Sequence, residues 1–511
     1  MLFCLYNKRS DAMTKKTSSL KSRNNLHCAS SKKGLVPYHL FHVLTDYFVL
    51  DTTVYRFYKI DKLTWLFLKK MLHSNINDVY HSFLLSKKYD AKLLKQVYSE
   101  VKKIARGGLL DTCTSYIDLP DTKERLRCAC IDGQISDLQL TLSEDCNLAC
   151  KYCYCRQNKK EGSSCARKLM PENIAKSALE LLAKQKVNPV AVTMFGGEPL
   201  LNKPVIDFIM AYTTRLSEET KKEFNYIITT NATLLDDKTI DYIVNYNFGL
   251  MVSLDGPQEL HDSQCPTKSG EGSFQAAAEN IKKLMQRRTV GVRATMIHPM
   301  PDLKQLIDFF MDFGFSNMAI AATTNRKDAP SECDFTPDDM RSLIKQEEKL
   351  LPWMLGYLKK GETPPYFIYD RWYNTIRNGS INTQNLLFNC GAARAAVGVD
   401  TQGFLYPCVK FSGMKNWKIG DIEHGLDYDK CKKIWWSFIQ CIAPKCGKCW
   451  AYPICGGPCL WECARNDGSF QFDNKYCAFT KKSIERAAYL CFHVEAENER
   501  TTQTHNNCTL K

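Results

Sequence analysis

Cys146, Cys150 and Cys153 stand in a C-x3-C-x2-C run, Glu144-Asp145-Cys146-Asn147-Leu148-Ala149-Cys150-Lys151-Tyr152-Cys153. Three thiolates this close in sequence converge on one metal site, and that fixes the surrounding loop more tightly than any other feature of the chain. A cubane iron–sulfur cluster normally takes four cysteines. A site of three leaves one iron open to another ligand. The competing reading is a structural zinc knuckle, which closes with a fourth nearby Cys or His. Cys155 is the candidate for that place.

At 511 residues the chain is too long for one ordinary core. Its 69 Lys and Arg against 55 Asp and Glu leave a formal charge of +14. Part of that excess falls in residues 1–34, where Lys and Arg recur among Ser, Thr and Asn; this reads as a disordered basic tail. No basic–aromatic patch argues for nucleic acid, and an acidic peptide suits the charge equally well. Of the 24 cysteines, none follows an export signal, because Met1 to Asn25 lacks an apolar stretch of useful length. No run of about 18 apolar residues marks a membrane helix. A cysteine-rich chain of this kind is expected in the cytoplasm, with its sulfurs on metal rather than in disulfides.

Residues 35–112 read as a small separate module. Strands are expected over His39–Asp51 and Val54–Lys59, and helices over Leu63–Leu72 and Ala91–Ala105, ended by Gly107-Gly108. This layout is winged-helix-like. Within 135–330 the chain alternates strand and helix. Strands are expected at Leu138–Leu142, Val190–Phe195, Asn225–Thr230, Leu250–Leu254, Val292–Met296 and Met318–Ala322. Helices are expected at Pro171–Lys186, Lys203–Leu216, Asp237–Tyr246, Ser273–Arg288 and Leu303–Phe313. Such alternation predicts an α/β fold, a partial (β/α)6 barrel. Residues 331–389 form a helical connector whose helix Pro337–Lys360 is interrupted or kinked near Pro352. From 390 to 480 helix and strand signals fade and cysteines dominate, as in a domain held by metal. Residues 481–511 hold a last helix, to about Glu495, and a polar tail.

Every polar motif of the barrel region sits just after a strand, where barrels build their active sites. Gly196-Gly197-Glu198-Pro199 follows the second strand; paired glycines allow close backbone approach and positive φ, and the adjacent carboxylate can accept from an ammonium. Asn231 ends the third strand, Ser253-Leu254-Asp255-Gly256-Pro257 the fourth, and Arg293 lies in the fifth. The C-x3-C-x2-C run with Tyr152 before its last Cys, followed by Gly-Gly-Glu-Pro, resembles the radical SAM superfamily. The resemblance implies that Cys146, Cys150 and Cys153 bind a catalytic 4Fe-4S cluster whose open iron takes S-adenosylmethionine. In that family the reduced cluster cleaves the cofactor to a 5′-deoxyadenosyl radical. It further implies cofactor contacts at Tyr152, Gly196, Gly197, Glu198, Pro199, Asn231, Ser253 and Arg293; Arg suits a carboxylate because its fork binds bidentately. No catalytic residue beyond the cluster ligands is assigned. His261-Asp262 reads as a loop-ordering pair.

Seven further cysteines keep a strict frame. Cys390 is followed by twelve residues, Gly403, four residues and Cys408; then come Cys446-x2-Cys449-x5-Cys455-x3-Cys459, and later Cys477. This is similar to the SPASM-domain pattern, which implies two auxiliary 4Fe-4S clusters. Cys446, Cys449, Cys455 and Cys477 would hold the far one, and Cys390, Cys408 and Cys459 the near one. The eighth Cys of some relatives has no counterpart around Asn382–Asn385. The near cluster would then have an open iron, unless Cys333, Cys431, Cys441 or Cys463 folds in.

Ser253–Pro257 with His261-Asp262 and Gly270–Phe274, together with Cys390–Arg394 and Gly403–Phe411, is similar to maturases that form Cys thioether bridges in ribosomal peptides. The resemblance implies a precursor peptide as substrate, bound by the N-terminal module, and a flavodoxin- or ferredoxin-type electron donor. The alternative is an anaerobic sulfatase-maturating, formylglycine-generating enzyme. That family carries an Asp after Tyr-Pro-Cys, where this chain has Val409. A non-catalytic, metal-stapled binding protein is the remaining reading, and the intact Gly196–Pro199 argues against it.

Overall fold

The computed structural model describes residues 38–52, 55–106, 115–129, 134–154, 168–323, 326, 331–379 and 390–508. The basic tail expected over 1–34 lies outside them, as does Cys155. Among the described residues no helix is long and apolar enough to cross a membrane.

Three antiparallel strands open the described chain: β1 (Tyr38–Val43), β2 (Asp46–Asp51) and β3 (Arg56–Ile60), paired in that order. Helices Lys62–Met71, Ile76–Ser86 and Ala91–Arg106 follow. The sequence reading gave one strand for His39–Asp51. The chain instead turns back at Leu44, which takes φ 52°, and makes a hairpin. It also gave no helix at Ile76–Ser86, although Asn75 caps that helix by accepting from the backbone N–H of Asn77 and Asp78.

Strand alternation gives this sheet two buried faces. Tyr38, Val49 and Ile60 pack with Leu63, Phe67, Phe83 and Val97 in a core of their own. Phe41, Val43, Phe48 and Leu50 join the core of the rest of the protein. The module is thereby seated on the C-terminal helix, Cys477–Cys508. His39 Nε2 lies 2.8 Å from Glu485 Oε1, and the His39 ring stacks on Trp450 with centroids 3.8 Å apart. His493 Nε2 is 2.6 Å from Asp46 Oδ2.

The expected α/β barrel is present. β4 (Asp137–Ser143), β5 (Val190–Gly196), β6 (Phe224–Thr230), β7 (Gly249–Ser253), β8 (Gly291–Met296) and β9 (Asn317–Ala322) run parallel and neighbour one another in chain order. Leu138, Leu140 and Leu142 of β4 are fully buried, whereas Gln139 and Thr141 point the other way and bond Val409 N and Ser412 Oγ. The sheet then continues into the cysteine-rich region. β10 (Ala396–Val399) pairs parallel with β4, and β11 (Phe404–Tyr406), β12 (Gly420–Asp421) and β13 (Gly425–Leu426) add antiparallel strands, making ten in all.

Helix Pro337–Lys359 runs unbroken through Pro352, so of the expected interruption or kink the interruption does not occur. It is tied to the C-terminal helix by a buried ionic group. Arg486 Nη1 donates to Glu347 Oε2 at 3.1 Å, and both side chains are essentially inaccessible to solvent. Tyr366 and Tyr369 donate to the same carboxylate at 3.0 and 3.1 Å. Burial raises the Glu347 pKa to about 7, and Arg486 and the two phenols oppose that rise by favouring the ionised form. Removing one partner of a buried pair leaves the other uncompensated, so Glu347→Ala is expected to cost about 3 kcal/mol, the low end of the range because half-exposed Glu348 also reaches Arg486. Tyr366→Phe is expected to cost about 1 kcal/mol. Urea midpoints of the two variants against the parent check both values.

Candidate active site

Parallel pairing places the C-terminal ends of β4 to β9 on one rim, and the loop carrying Cys146, Cys150 and Cys153 leaves β4 there. Backbone contacts fix that loop on two sides. On the first, Gly197 N donates to Ser143 O at 2.7 Å and Glu198 N to Asp145 O at 2.9 Å. The glycines are required by this contact: a Cβ on Gly196, at φ +134°, would lie 2.3 Å from Ser143 O, and one on Gly197 would lie 2.1 Å from Asp145 O. Their close approach is to the cysteine loop itself.

On the second side runs a segment that the sequence reading did not single out. Ala149 N donates to Pro266 O at 2.7 Å, Lys151 N to Gln264 O at 2.9 Å and Lys268 N to Asn147 O at 3.3 Å. Leu148 and Thr267 form an antiparallel bridge, and Lys268 Nζ pairs with Asp145 Oδ1 at 2.5 Å. Residues 264–268 thus clamp the loop along most of its length.

Side chains complete the enclosure. Glu198 is buried and its carboxylate accepts three bonds: from Leu200 N at 3.0 Å, Thr230 Oγ1 at 2.8 Å and Asn231 N at 2.8 Å. Burial nonetheless pushes it up to about 7. Asn231 Nδ2 reaches Cys146 Sγ at 3.7 Å and Asn147 Oδ1 at 3.0 Å. Tyr152 donates to Asp255 Oδ2 at 2.8 Å, while Thr295 N donates to Asp255 Oδ1 at 2.9 Å. Burial raises the pKa of Asp255 above the usual carboxylate range. His261 is buried; its Nδ1 lies 3.1 Å from Asp255 N and its Nε2 3.1 Å from Ser273 Oγ. An N–H donor at Nδ1 makes that nitrogen the acceptor, so the ring is neutral, and burial holds its pKa down. Asp262 accepts from Ser273 N and Phe274 N, both at 2.8 Å. The pair orders its loop, as expected from the sequence.

Ser253 and Arg293 are register partners on β7 and β8, so their side chains share a face. Arg293 is exposed and lies within β8, level with the end of β7. Gly196, Gly197, Glu198, Pro199, Tyr152, Asn231, Ser253 and Arg293 are thus gathered around one rim.

The auxiliary cysteines fall into two groups. Cys446 has Cys455, Cys449 and Cys477 as neighbours, and burial with their influence raises its pKa. These four, together with Cys459, line a cavity of about 300 Å³ whose wall includes Met296 and Ile320 of the barrel. Cys408 has Cys459 and Cys390 around it and is pushed up to about 12, chiefly by burial, against the pull of Lys410. Of the four cysteines weighed as a further member, Cys463 has Cys459 in its surroundings. Cys431 is buried within helix Tyr428–Cys446.

Burial and neighbouring sulfurs push Cys146 up to about 12 as well. Thiols like these do not ionise unaided at neutral pH. A bound metal cation is what makes them thiolates, so the donor sets suit iron–sulfur clusters.

Residues 140–310 match the family model described as the Radical SAM superfamily. The radical SAM cyclopropyl synthase TigE of Paramaledivibacter caminithermalis is 23% identical over 441 residues, covering 80% of this chain and 89% of that protein. The cysteine-type anaerobic sulfatase-maturating enzyme of Clostridium novyi is 24% identical over 374 residues, covering 68% of this chain and 95% of that protein. The solved structure of native anSMEcpe with bound AdoMet and Cp18Cys peptide is similar at a TM-score of 0.57 and 19% identity, over 71% of this chain and 99% of that one. The barrel is a radical SAM domain. The protein is a radical SAM enzyme, using S-adenosylmethionine and iron–sulfur clusters, and is related to the SPASM-type peptide and sulfatase maturases.

Gly197→Ala tests the packing of the cysteine loop. The added methyl meets backbone rather than a side chain that could move. The variant is expected to lose about four of the irons of the reconstituted parent, one cubane's worth, while the rest stay bound. Iron and sulfide analysis under argon checks it.

Proposed function

We propose that this enzyme cross-links a ribosomally made peptide by joining a substrate cysteine sulfur to a peptide carbon. The observation that carries the reading is the trio Cys390, Cys408 and Cys459. Without Cys463, which has Cys459 in its surroundings, the trio is one sulfur short of a full cubane set among the described residues. Cys390 and Cys459 are exposed, and Arg394 and Lys410 stand beside the trio. Those cations favour an anionic fourth donor, and a peptide thiolate is one.

In this reading Cys146, Cys150 and Cys153 hold the catalytic cluster, and Cys446, Cys449, Cys455 and Cys477 hold the far auxiliary cluster. Ser253 and Arg293 offer a hydroxyl and a guanidinium on one face, suited to the ribose and carboxylate of S-adenosylmethionine. Gly196 to Pro199, Asn231 and Tyr152 wall the opposite side. Bound there, cluster and cofactor supply a carbon radical that removes hydrogen from the peptide. Residues 38–106, seated beside Trp450, offer the peptide a separate docking module. A flavodoxin- or ferredoxin-type protein supplies the electrons.

Sulfatase maturation is the alternative. Val409 stands after Tyr406-Pro407-Cys408, and Lys410 follows it, so that turn presents no carboxylate base. The match to a cyclopropyl synthase spans more of this chain than the match to a sulfatase-maturating enzyme does, which favours a carbon–carbon bond as a second reading. Both bonds remove two hydrogens from the peptide, but only a thioether consumes a thiol. Mass spectrometry of the product after alkylation separates them: one fewer alkylated cysteine supports the thioether, and an unchanged count sinks it.

Two substitutions divide the roles of the sulfurs. Cys146→Ala is expected to abolish 5′-deoxyadenosine formation. Cys459→Ala is expected to keep uncoupled nucleoside formation and lose cross-linked peptide. Full product from Cys459→Ala would show the near trio to be dispensable.

A further inference from the structure

Asn231 follows β6 and is buried. Its backbone N–H goes to Glu198, and its side-chain amide turns to the cysteine loop. Thr233 fixes which way that amide faces. The Thr233 backbone N–H and hydroxyl both donate to Asn231 Oδ1, at 3.1 and 2.7 Å. A backbone N–H can only donate, so the amide oxygen lies on that side and Nδ2 on the other. Nδ2 carries two protons. One goes to Asn147 Oδ1 at 3.0 Å and the second to Cys146 Sγ at 3.7 Å; sulfur is larger than oxygen, so a donor to it sits further out. Asn147 Nδ2 in turn donates to Thr233 Oγ1 at 2.8 Å, which closes the ring of bonds. The Cys146 sulfur also accepts from Leu148 N at 3.4 Å. Its own proton, shared with Asn147 Oδ1 at 4.0 Å, leaves when the sulfur binds metal. Both protein donors then face a thiolate.

We propose that Asn231 is a positioning residue that donates its side-chain N–H to the sulfur of Cys146 and raises the reduction potential of the catalytic cluster. The inference rests on the reading of Cys146 as a ligand of that cluster. A hydrogen bond to a ligand sulfur withdraws charge from the iron and favours the reduced form, because reduction adds negative charge to the site. The two acceptor and two donor positions of the amide are all filled within the protein. Asn231 therefore walls the site without bonding the cofactor, and acts through the sulfur. The loop does not depend on this side chain for its place, since main-chain bonds to Gly197, Glu198 and residues 264–268 hold it. Asn231 can be changed without releasing the loop.

The test compares full-length parent, Asn231→Asp, Asn231→Ala and Asn147→Ala after anaerobic reconstitution. The readouts are iron content and a redox titration followed by electron paramagnetic resonance. The catalytic cluster is identified as the signal that changes when S-adenosylmethionine is added, and its potential is then read without the cofactor. Asn231→Asp keeps both bonds from Thr233 and loses the donor; Asn231→Ala loses the donor without adding charge. The expected result is equal iron in all four proteins and a lower potential for that signal in both Asn231 variants. Asn147→Ala is expected to stay near the parent's potential, because Thr233 N still orients the Asn231 amide. An unchanged potential in Asn231→Ala overturns the inference. So does an equal fall in Asn147→Ala, which would assign the effect to loop packing, and so does loss of iron from both Asn231 variants. Absence of a cofactor-responsive signal in the parent would instead overturn the ligand assignment of Cys146, and the inference with it.

Discussion

The site depends on one backbone contact, the docking of Gly196 and Gly197 against Ser143 and Asp145. The cysteine loop is too short to pack a core of its own and too polar to be held by burial. Its position comes from main-chain hydrogen bonds to two neighbours, the end of β5 and the segment 264–268. Glycine is the residue that allows the first contact, because any side chain would meet carbonyl oxygens at well under van der Waals distance. The result is a rigid frame in which three sulfurs can be placed before any metal arrives, which lowers the ordering cost of binding one.

A similar economy governs the auxiliary region. β10 extends the barrel sheet through β4, so Cys390 and Cys408, on either side of the β10–β11 hairpin, inherit their position from the barrel. The far group draws on different elements. Cys446 ends one helix and Cys477 begins another; between them Cys449 lies on a turn and Cys455 ends the short helix Tyr452–Cys455. Trp450, next to Cys449, carries the stack with His39, and the helix begun at Cys477 carries Glu485 and His493, which pair with the N-terminal module. Whatever orders these four sulfurs therefore also shapes the floor on which that module sits.

Much of this was readable in the chain. All six barrel strands lie within a residue or so of where alternation and turn signals put them, because each carries apolar residues buried at strand spacing and the helices between them are amphipathic. The grouping of the auxiliary sulfurs was implied by the SPASM resemblance, and Cys446 has Cys449, Cys455 and Cys477 as neighbours. Two kinds of feature escaped. Helix Tyr428–Cys446 has a clear apolar stripe in Cys431, Trp435, Phe438 and Ile442, and an Asp427 cap, but the density of cysteines around it made the whole region look metal-stapled and irregular. The clamp 264–268 escaped for a different reason. It acts through backbone groups, which every residue carries, so the sequence held no side-chain signature beyond Cys265-Pro266.

Glu198 shows how structure and chemistry meet in one carboxylate. Three protein donors already engage it, yet a carboxylate has about four acceptor positions, so one further donor can be taken. Burial lifts its proton affinity to about 7, which leaves it divided between neutral and ionised forms near neutral pH. In the reading proposed for this rim, the arriving group is the ammonium of S-adenosylmethionine. A cation in that position favours the ionised form, so binding and proton release are linked. The three bonds to Leu200, Thr230 and Asn231 hold the carboxylate in place through that change. The bracing that builds the rim is then the same bracing that keeps the acceptor aimed when its charge appears.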